Sequence, residues 1–108
     1  MDLTIEKKGK HIFLRATHDF SLPGTAKILS EKINSLLSCG EKCIVIDLTH
    51  AAIINSAVIG AIIECHKEAT CKKAEVIVLT THNRAIETLL RIHIDEVVRI
   101  IENESQLD

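Results

Sequence analysis

The residues best suited to chemistry lie in the connection that follows the apolar run of residues 43–48. Asp47 lies near the end of that run, His50 follows it, and Asn55 and Ser56 precede a second apolar stretch. A hydrolase can be imagined from Ser, His and Asp, but a catalytic triad is defined by geometry and not by nearness in sequence. A strand-end carboxylate more often accepts hydrogen bonds from loop N–H groups than acts as a base. We therefore predict no catalytic residues and expect that the protein is not an enzyme.

Motifs for nucleotide, metal or nucleophile chemistry are missing from the sequence. The four glycines are scattered and form neither G-x-G-x-x-G nor a Walker pattern, and neither G-x-S-x-G nor H-E-x-x-H occurs. The cysteines do not form the C-x-x-C pairs of zinc ribbons, and Cys43 and Cys65 have the apolar phase of small core residues. A metal site from Cys65, His66 and Cys71 is disfavoured because adjacent helical residues point in different directions. We expect no metal and no cofactor.

Composition narrows the classes of partner. The 108 residues favour one domain, residues 1–108. With a formal charge of −2, the chain lacks the positive potential of a nonspecific nucleic-acid binder. Its only aromatic residues of the Phe, Trp and Tyr types are two Phe, so few side chains could stack on bases. No apolar run approaches the ~20 residues of a membrane helix, and residues 1–10 lack the apolar core of a signal peptide. We expect a cytoplasmic protein, with no nucleic-acid partner and no direct membrane insertion.

The first half of the chain is predicted to be a hairpin followed by a helix. Residues 3–6 and 11–16 alternate between apolar and polar types, which is typical of half-exposed strands joined by a tight turn. Helical spacing of apolar residues follows, with Ser21 as the expected N-cap and Pro23 in the first turn. Gly40 is expected to end this helix in a left-handed conformation.

The second half alternates between strands and helices. The run at residues 43–48 and the run at 75–79 predict buried strands, and residues 57–70 predict the helix between them. A third helix capped by Asn83, an edge strand at 97–101 and a short helix from Asn103 to the C-terminus complete the order β-β-α-β-α-β-α-β-α.

This order predicts a single α/β domain with a mixed, mostly parallel sheet and helices mainly on one face. The initial hairpin adds an antiparallel edge to that sheet. In such sheets the functional surface gathers beyond the carboxyl ends of the strands. The connection that contains His50 and Ser56 is therefore expected at the functional end of the molecule.

The second helix has two apolar stripes, whereas an amphipathic surface helix needs one. The stripe expected to face the core consists of Val58, Ala61, Ile62, Cys65 and Ala69. The other stripe consists of Ile59, Ile63 and His66. It is either buried in this fold or offered to a partner.

Asn55 and Ser56 have two compatible interpretations. Both residue types are preferred helix N-caps. An exposed hydroxyl at a helix N-terminus is also a favourable place for a phosphate, because free N–H groups and the helix dipole stabilise the added negative charge.

At these residues the chain resembles the STAS domain family, the fold of bacterial anti-sigma factor antagonists. The family pattern is a strand ending in Asp, a short loop, and D-S-[S/x]-[G/x]-L-G opening a helix. Residues 44–49 and 53–60 match this pattern in order and spacing. Asp19 corresponds to the Asp of an earlier G-E-L-D motif, and residues 89–97 resemble the family's late L-x-x-x-G-L segment.

The resemblance implies a non-enzymatic protein-binding module in a partner-switching signalling pathway. Family members dock on a GHKL-type serine kinase that doubles as an anti-sigma factor and so regulate transcription. The kinase phosphorylates a loop serine, which weakens docking, and a phosphatase resets the state.

The position of the phosphorylated serine differs within the family. In anti-sigma factor antagonists it is the second serine of D-S-S-G, which is Ala57 here; in the stressosome-type branch it is the position of Ser56. Ser56 is therefore the candidate phosphorylation site of this motif. The alternative is a non-phosphorylated STAS scaffold, or a subunit of a transporter or stressosome-like assembly. A second copy of the chain is a further candidate partner, which would give a homodimer.

The expected partner-binding surface is the connection together with the start of the second helix. It comprises Asp19, His50, Asn55, Ser56, Ala57, Val58, Ile59, Ile63 and His66.

Overall fold

A computed structural model of the chain describes residues 3–16, 24–49, 56–80 and 98–107. Their secondary-structure elements are β1 Leu3–Lys8, β2 His11–Ala16, α1 Thr25–Ser38, β3 Cys43–Asp47, α2 Ser56–Cys71, β4 Glu75–Leu79, β5 Arg99–Ile101 and a 3-10 turn at Glu104–Gln106. The predicted helix at Asn83 lies outside the described residues.

The five strands form one sheet in the order β1-β2-β3-β4-β5. The β1–β2 pair is antiparallel, and the β2–β3, β3–β4 and β4–β5 pairs are parallel. The predicted mixed sheet with an antiparallel hairpin at one edge is confirmed. The predicted final edge strand is also found next to β4, but it is limited to Arg99–Ile101.

The C-terminal end of α1 was predicted correctly, but its N-terminal end was not. The expectation that Ser21 caps this helix is wrong, because its N-cap is Gly24 at a φ of 85°. A residue at this positive φ cannot belong to a right-handed helix, so the helix starts only at Thr25. The expectation for Gly40 is confirmed: its φ is 92°, and its N–H donates to the Leu37 carbonyl at 3.1 Å.

One face of the sheet is covered by α1 and α2, which confirms the prediction of helices mainly on one face. The main core lies between them and the strands. Its buried members are Leu14, Leu29, Ile33, Leu37, Ile44, Ile46, Leu48, Val58, Ile59, Ile62, Cys65, Ala69, Val76, Val78 and Val98. The predicted inward stripe of α2 is therefore correct, although Ala61 is only half-buried.

The opposite face of the sheet, called the second face below, has its own apolar cluster. This cluster consists of Phe13, Val45, Ile77, Leu79 and Ile101, with Leu107 packed against it. Leu107 follows the 3-10 turn, which stands where a terminal helix was predicted. Asn103 caps the turn through a reciprocal capping box with Gln106, and this local bonding stabilises one turn without requiring a longer helix.

Candidate functional site

An ion pair lies at the carboxyl ends of two neighbouring parallel strands. Arg15 of β2 and Asp47 of β3 are register partners, so their side chains emerge on the same face of the sheet. Arg15 Nη1 donates to Asp47 Oδ2 at 2.6 Å. Asp47 is only 3% exposed, which makes this short charge-assisted hydrogen bond the main compensation for burying its charge.

The second oxygen of Asp47 holds the start of the connection to α2. Asp47 Oδ1 accepts hydrogen bonds from the Thr49 backbone N–H at 2.9 Å and from Thr49 Oγ1 at 2.6 Å. The expectation that this strand-end carboxylate binds loop N–H groups is confirmed. Both oxygens of Asp47 therefore have hydrogen-bond partners among the described residues.

At the carboxyl ends of β3 and β4, backbone hydrogen bonding to the neighbouring strand continues for one residue beyond the strand. The Leu48 N–H donates to the Leu79 carbonyl at 2.8 Å, and the Thr80 N–H donates to the Ile101 carbonyl at 3.0 Å. The chain therefore leaves the sheet at a fixed point after Leu48. The Asp47–Thr49 hydrogen bonds extend that order into the connection.

Arg15 belongs to a network of charges on the second face. Its Nε donates to Glu6 at 3.2 Å and its Nη2 lies 3.6 Å from Glu104. Lys8 lies 3.1 Å from Glu104 and 3.4 Å from Glu6. The guanidinium carbon of Arg15 also stands 4.6 Å from the centre of the Phe13 ring, within cation–π distance. The network thus joins the hairpin, β3 and the C-terminal turn.

The ionisation of these groups favours the network at neutral pH. The hydrogen bond from Arg15, followed by that from Lys8, lowers the pKa of the Glu6 carboxyl. The hydrogen bond to Glu104, followed by that to Glu6, raises the pKa of the Lys8 ammonium. Both shifts favour the charged forms, so these surface pairs are present across the neutral range.

Three predicted site residues, Asp19, His50 and Asn55, lie outside the described residues. Ser56 is the first residue of α2, which agrees with the predicted start of the helix near this position. Ala57 is exposed in the first turn. Ser56 and Ala57 therefore belong to the helix N-terminus that follows the anchored connection.

The other predicted binding residues are distributed between core and surface. Val58 is fully buried and Ile59 is 9% exposed, both within the main core. Ile63 is half-buried and packs against the same core, and His66 is half-buried. Within the described part of the chain, Val58 and Ile59 can serve docking mainly by fixing the position of α2.

The exposed side of α2 has a feature that the sequence reasoning missed. Ala57, Gly60, Ala61 and Glu64 have the spacing of one helix face; three of them are exposed and Ala61 is half-buried. Because three of the four residues are Gly or Ala, we call this set, including Glu64, the small-residue face. A Cβ added to Gly60 would meet nothing within 4 Å, so packing among the described residues does not require glycine here.

Arg15 was also missed, although its polar phase between Leu14 and Ala16 was evident. Alternation places Arg15 opposite the main core, but it does not show which residue lies beside it. That information comes from the β2–β3 register, which pairs Arg15 with Asp47.

The four cysteines all lie in the described part of the chain and are free thiols. No group of three or more His, Cys, Asp or Glu could hold a metal ion there, and no pocket is found. Cys65 is a core residue as predicted, and desolvation raises the pKa of its thiol. Cys43 is half-buried and not fully in the core, because it is the first residue of β3. No described helix is long and apolar enough to cross a membrane.

Removing the charge of Asp47 is expected to destabilise the fold. Asp47→Asn keeps an acceptor for Thr49 but breaks the ion pair with Arg15. The free energy of unfolding should fall by about 1–3 kcal/mol, below the full cost of breaking a buried pair because Arg15 is partly exposed. Urea denaturation monitored by circular dichroism measures this change.

Glu6→Gln is the matched control for Asp47→Asn, because it removes a charge from the exposed side of the same Arg15 network. A surface pair contributes little to stability, so this variant should lose clearly less than Asp47→Asn. Equal losses for the two variants would show that Asp47 has no special anchoring role.

The chain matches the STAS domain family over residues 3–107. No curated protein matches it. A candidate anti-sigma factor antagonist from Thermotoga maritima is similar in structure, with a TM-score of 0.86 and 15% identity over 95% of this chain and 88% of that chain. For an anti-sigma factor antagonist from Mycobacterium paratuberculosis the TM-score is 0.82 and the identity 11%, over 96% of this chain and 87% of that chain.

SpoIIAA, an anti-sigma factor antagonist, has the same fold in its unphosphorylated form. Its TM-score is 0.74 at 10% identity, over 96% of this chain and 91% of that chain. Identities this low establish the fold alone. The family match, in contrast, spans both strands of the Arg15–Asp47 pair and the start of α2. This protein therefore belongs to the STAS domain family.

Proposed function

We propose that this STAS domain is a non-enzymatic module that binds a regulatory protein partner, a GHKL-type serine kinase acting as an anti-sigma factor. The docking loop, defined as residues 49–55, and the exposed side of α2 form the contact surface. The observation that carries the proposal is the anchoring of this loop, since Arg15 holds Asp47 and Asp47 holds Thr49. Structural similarity to anti-sigma factor antagonists supports the choice of partner.

Anchoring matters because a flexible loop loses conformational entropy when it becomes ordered on binding, and this loss weakens the affinity. A loop whose first residue is already fixed loses less conformational entropy when a partner engages it. The other end of the docking loop joins α2 at Ser56. α2 is itself fixed by Val58, Ile62 and Cys65 in the main core. Both ends of the loop are therefore held by the domain.

The small-residue face supports close approach of a partner to α2. Glycine inside a helix is less stable than alanine by roughly 0.5–1 kcal/mol. Because a Cβ at Gly60 would clash with nothing, packing among the described residues does not explain this loss. A partner that packs directly against the backbone between Ala57 and Glu64 would explain why a side chain is missing there.

Ser56 is the proposed phosphorylation site and the switch of docking. The helix N-terminus stabilises an added phosphate through free N–H groups and the helix dipole, and the first turn of α2 contains no acidic residue to oppose it. Structures of SpoIIAA in unphosphorylated and phosphorylated forms belong to the same fold. A phosphate at Ser56 would add charge at the contact surface and weaken docking.

Ala57 favours a second candidate function. It occupies the position of the usual acceptor serine in anti-sigma factor antagonists and cannot be phosphorylated. On this reading the domain binds without a switch, as a scaffold or as a subunit of a transporter or stressosome-like assembly. The two functions share the docking surface and differ only in the chemistry at Ser56.

Phosphorylation separates these functions directly. The chain is incubated with ATP and purified GHKL-type serine kinases from the same genome, and intact-mass and fragment spectra are recorded. We expect one added phosphate at Ser56, no addition to the control variant Ser56→Ala, and removal by a phosphatase. A stable complex without phosphate would favour the scaffold. Neither phosphate nor complex with any of the kinases would contradict the proposed partner class.

Filling the small-residue face should separate binding from folding. Gly60→Leu removes the helix-interior glycine, so the free energy of unfolding should stay equal or rise by up to about 1 kcal/mol. Affinity for the kinase should fall by about 1–3 kcal/mol, the usual cost of overpacking. Denaturation and isothermal titration calorimetry measure the two quantities.

The control for Gly60→Leu is Asn34→Leu, which places the same side chain at an exposed position of α1. This variant should leave the affinity unchanged. Equal weakening by both variants, or no weakening by Gly60→Leu, would place the contact surface elsewhere.

A further inference from the structure

The charge network on the second face connects the C-terminal end of the described chain with the docking loop. Glu104 lies 3.1 Å from Lys8 and 3.6 Å from Arg15. Arg15 in turn donates to Asp47, whose other oxygen accepts the Thr49 N–H. A continuous series of polar contacts therefore runs from the C-terminal turn to the first residue of the docking loop.

Residues 102–107, which we call the C-terminal segment, are fixed on the sheet by contacts that do not involve Glu104. Arg99 Nη2 donates to the Gln106 carbonyl at 2.6 Å. Gln106 Oε1 accepts the backbone N–H groups of Glu102 and Asn103 at 2.7 and 3.0 Å, and Leu107 packs on the second-face cluster. The position of Glu104 beside Arg15 therefore depends on a segment that other contacts hold on the sheet.

The geometry of Arg15 makes it suited to transmit a displacement. Each of its three nitrogens faces a different carboxylate: Nε faces Glu6, Nη1 faces Asp47 and Nη2 faces Glu104. A guanidinium is planar and rigid, so its donors cannot move independently. The contact to Glu104 and the hydrogen bond to Asp47 therefore belong to one rigid group.

We propose that the C-terminal segment is a conformational clasp on the docking loop, with Glu104 and Arg15 as positioning residues that act through Asp47 on Thr49. Lifting the segment from the second face frees one edge of the Arg15 guanidinium and loosens the start of the loop. The meaning of this coupling for binding rests on the proposed function. The coupling itself is a property of the free chain and is measured without a partner.

Amide hydrogen exchange reports the coupling at a single atom. The Thr49 N–H depends on the Asp47 side chain, whereas the neighbouring Leu48 N–H is bonded to the Leu79 carbonyl. The ratio of the Thr49 rate to the Leu48 rate rises only if the loop anchor loosens locally. General destabilisation of the sheet would accelerate both amides together.

The test compares this ratio by NMR in the full chain and three variants. Glu104→Gln should raise the ratio about two- to fivefold, the range of a partly screened ion pair, and the fold should survive because the Glu104 side chain is 41% exposed. Arg15→Lys, which cannot bridge three carboxylates, should raise the ratio at least as much. Glu102→Gln removes the same charge from the same segment, where Glu102 is exposed, and should leave the ratio unchanged.

Three results would overturn the clasp. They are an unchanged ratio in Glu104→Gln, an equal rise in Glu102→Gln, and an unchanged ratio in Arg15→Lys. Because no kinase is present, these results are independent of whether Ser56 is phosphorylated or any complex forms. A failed clasp and a failed proposed function are therefore seen in different experiments.

Discussion

The hydrogen bond between Arg15 and Asp47 is the constraint on which the carboxyl ends of β2 and β3 depend. A carboxylate that is 3% exposed is strongly destabilising unless its charge is compensated. Arg15 supplies the opposite charge and Thr49 supplies two donors. The burial of Asp47 therefore requires the correct register of β2 and β3 and, at the same time, an ordered start of the docking loop.

The remaining architecture places these groups. The hairpin brings β2 beside β3 and provides Glu6, which limits the orientation of Arg15 from the other side. The parallel order of β3 and β4 puts the Leu48–Leu79 backbone bond next to the anchor. The packing of α2 on the main core then fixes the far end of the loop. Under the proposed function, stability and docking depend on the same contacts at the carboxyl ends of β2 and β3.

Elements governed by local rules could be predicted from the sequence. Alternation identified the hairpin, apolar runs identified β3 and β4, and Gly40 identified the end of α1, because each signal depends on a few neighbouring residues. The start of α1 was missed because Ser21 and Pro23 have the residue types of an N-cap and a first turn, whereas the helix begins after the positive φ of Gly24. A 3-10 turn stands where a short terminal helix was predicted, and the capping box of Asn103 and Gln106 stabilises that single turn.

The candidate site was only partly predictable, for a different physical reason. Asp47 and the Ser56 helix start are visible in the sequence, but the partner of Asp47 comes from another strand and depends on register. The same holds for the second stripe of α2: helical spacing cannot show that Ile59 enters the core while Ile63 is half-buried. Gly60 matched a motif, yet its meaning depends on the empty space around a Cβ, which only three-dimensional packing reveals.

Under the proposed function, a protein partner docks on the docking loop and on the small-residue face. This contact is tested by amide chemical-shift mapping of the isotope-labelled chain during titration with a GHKL-type serine kinase. We expect the largest changes at Thr49, Ala57, Gly60 and Glu64. Changes centred on the β1–β2 hairpin or on the end of the sheet near Gly40, with α2 unaffected, would contradict it.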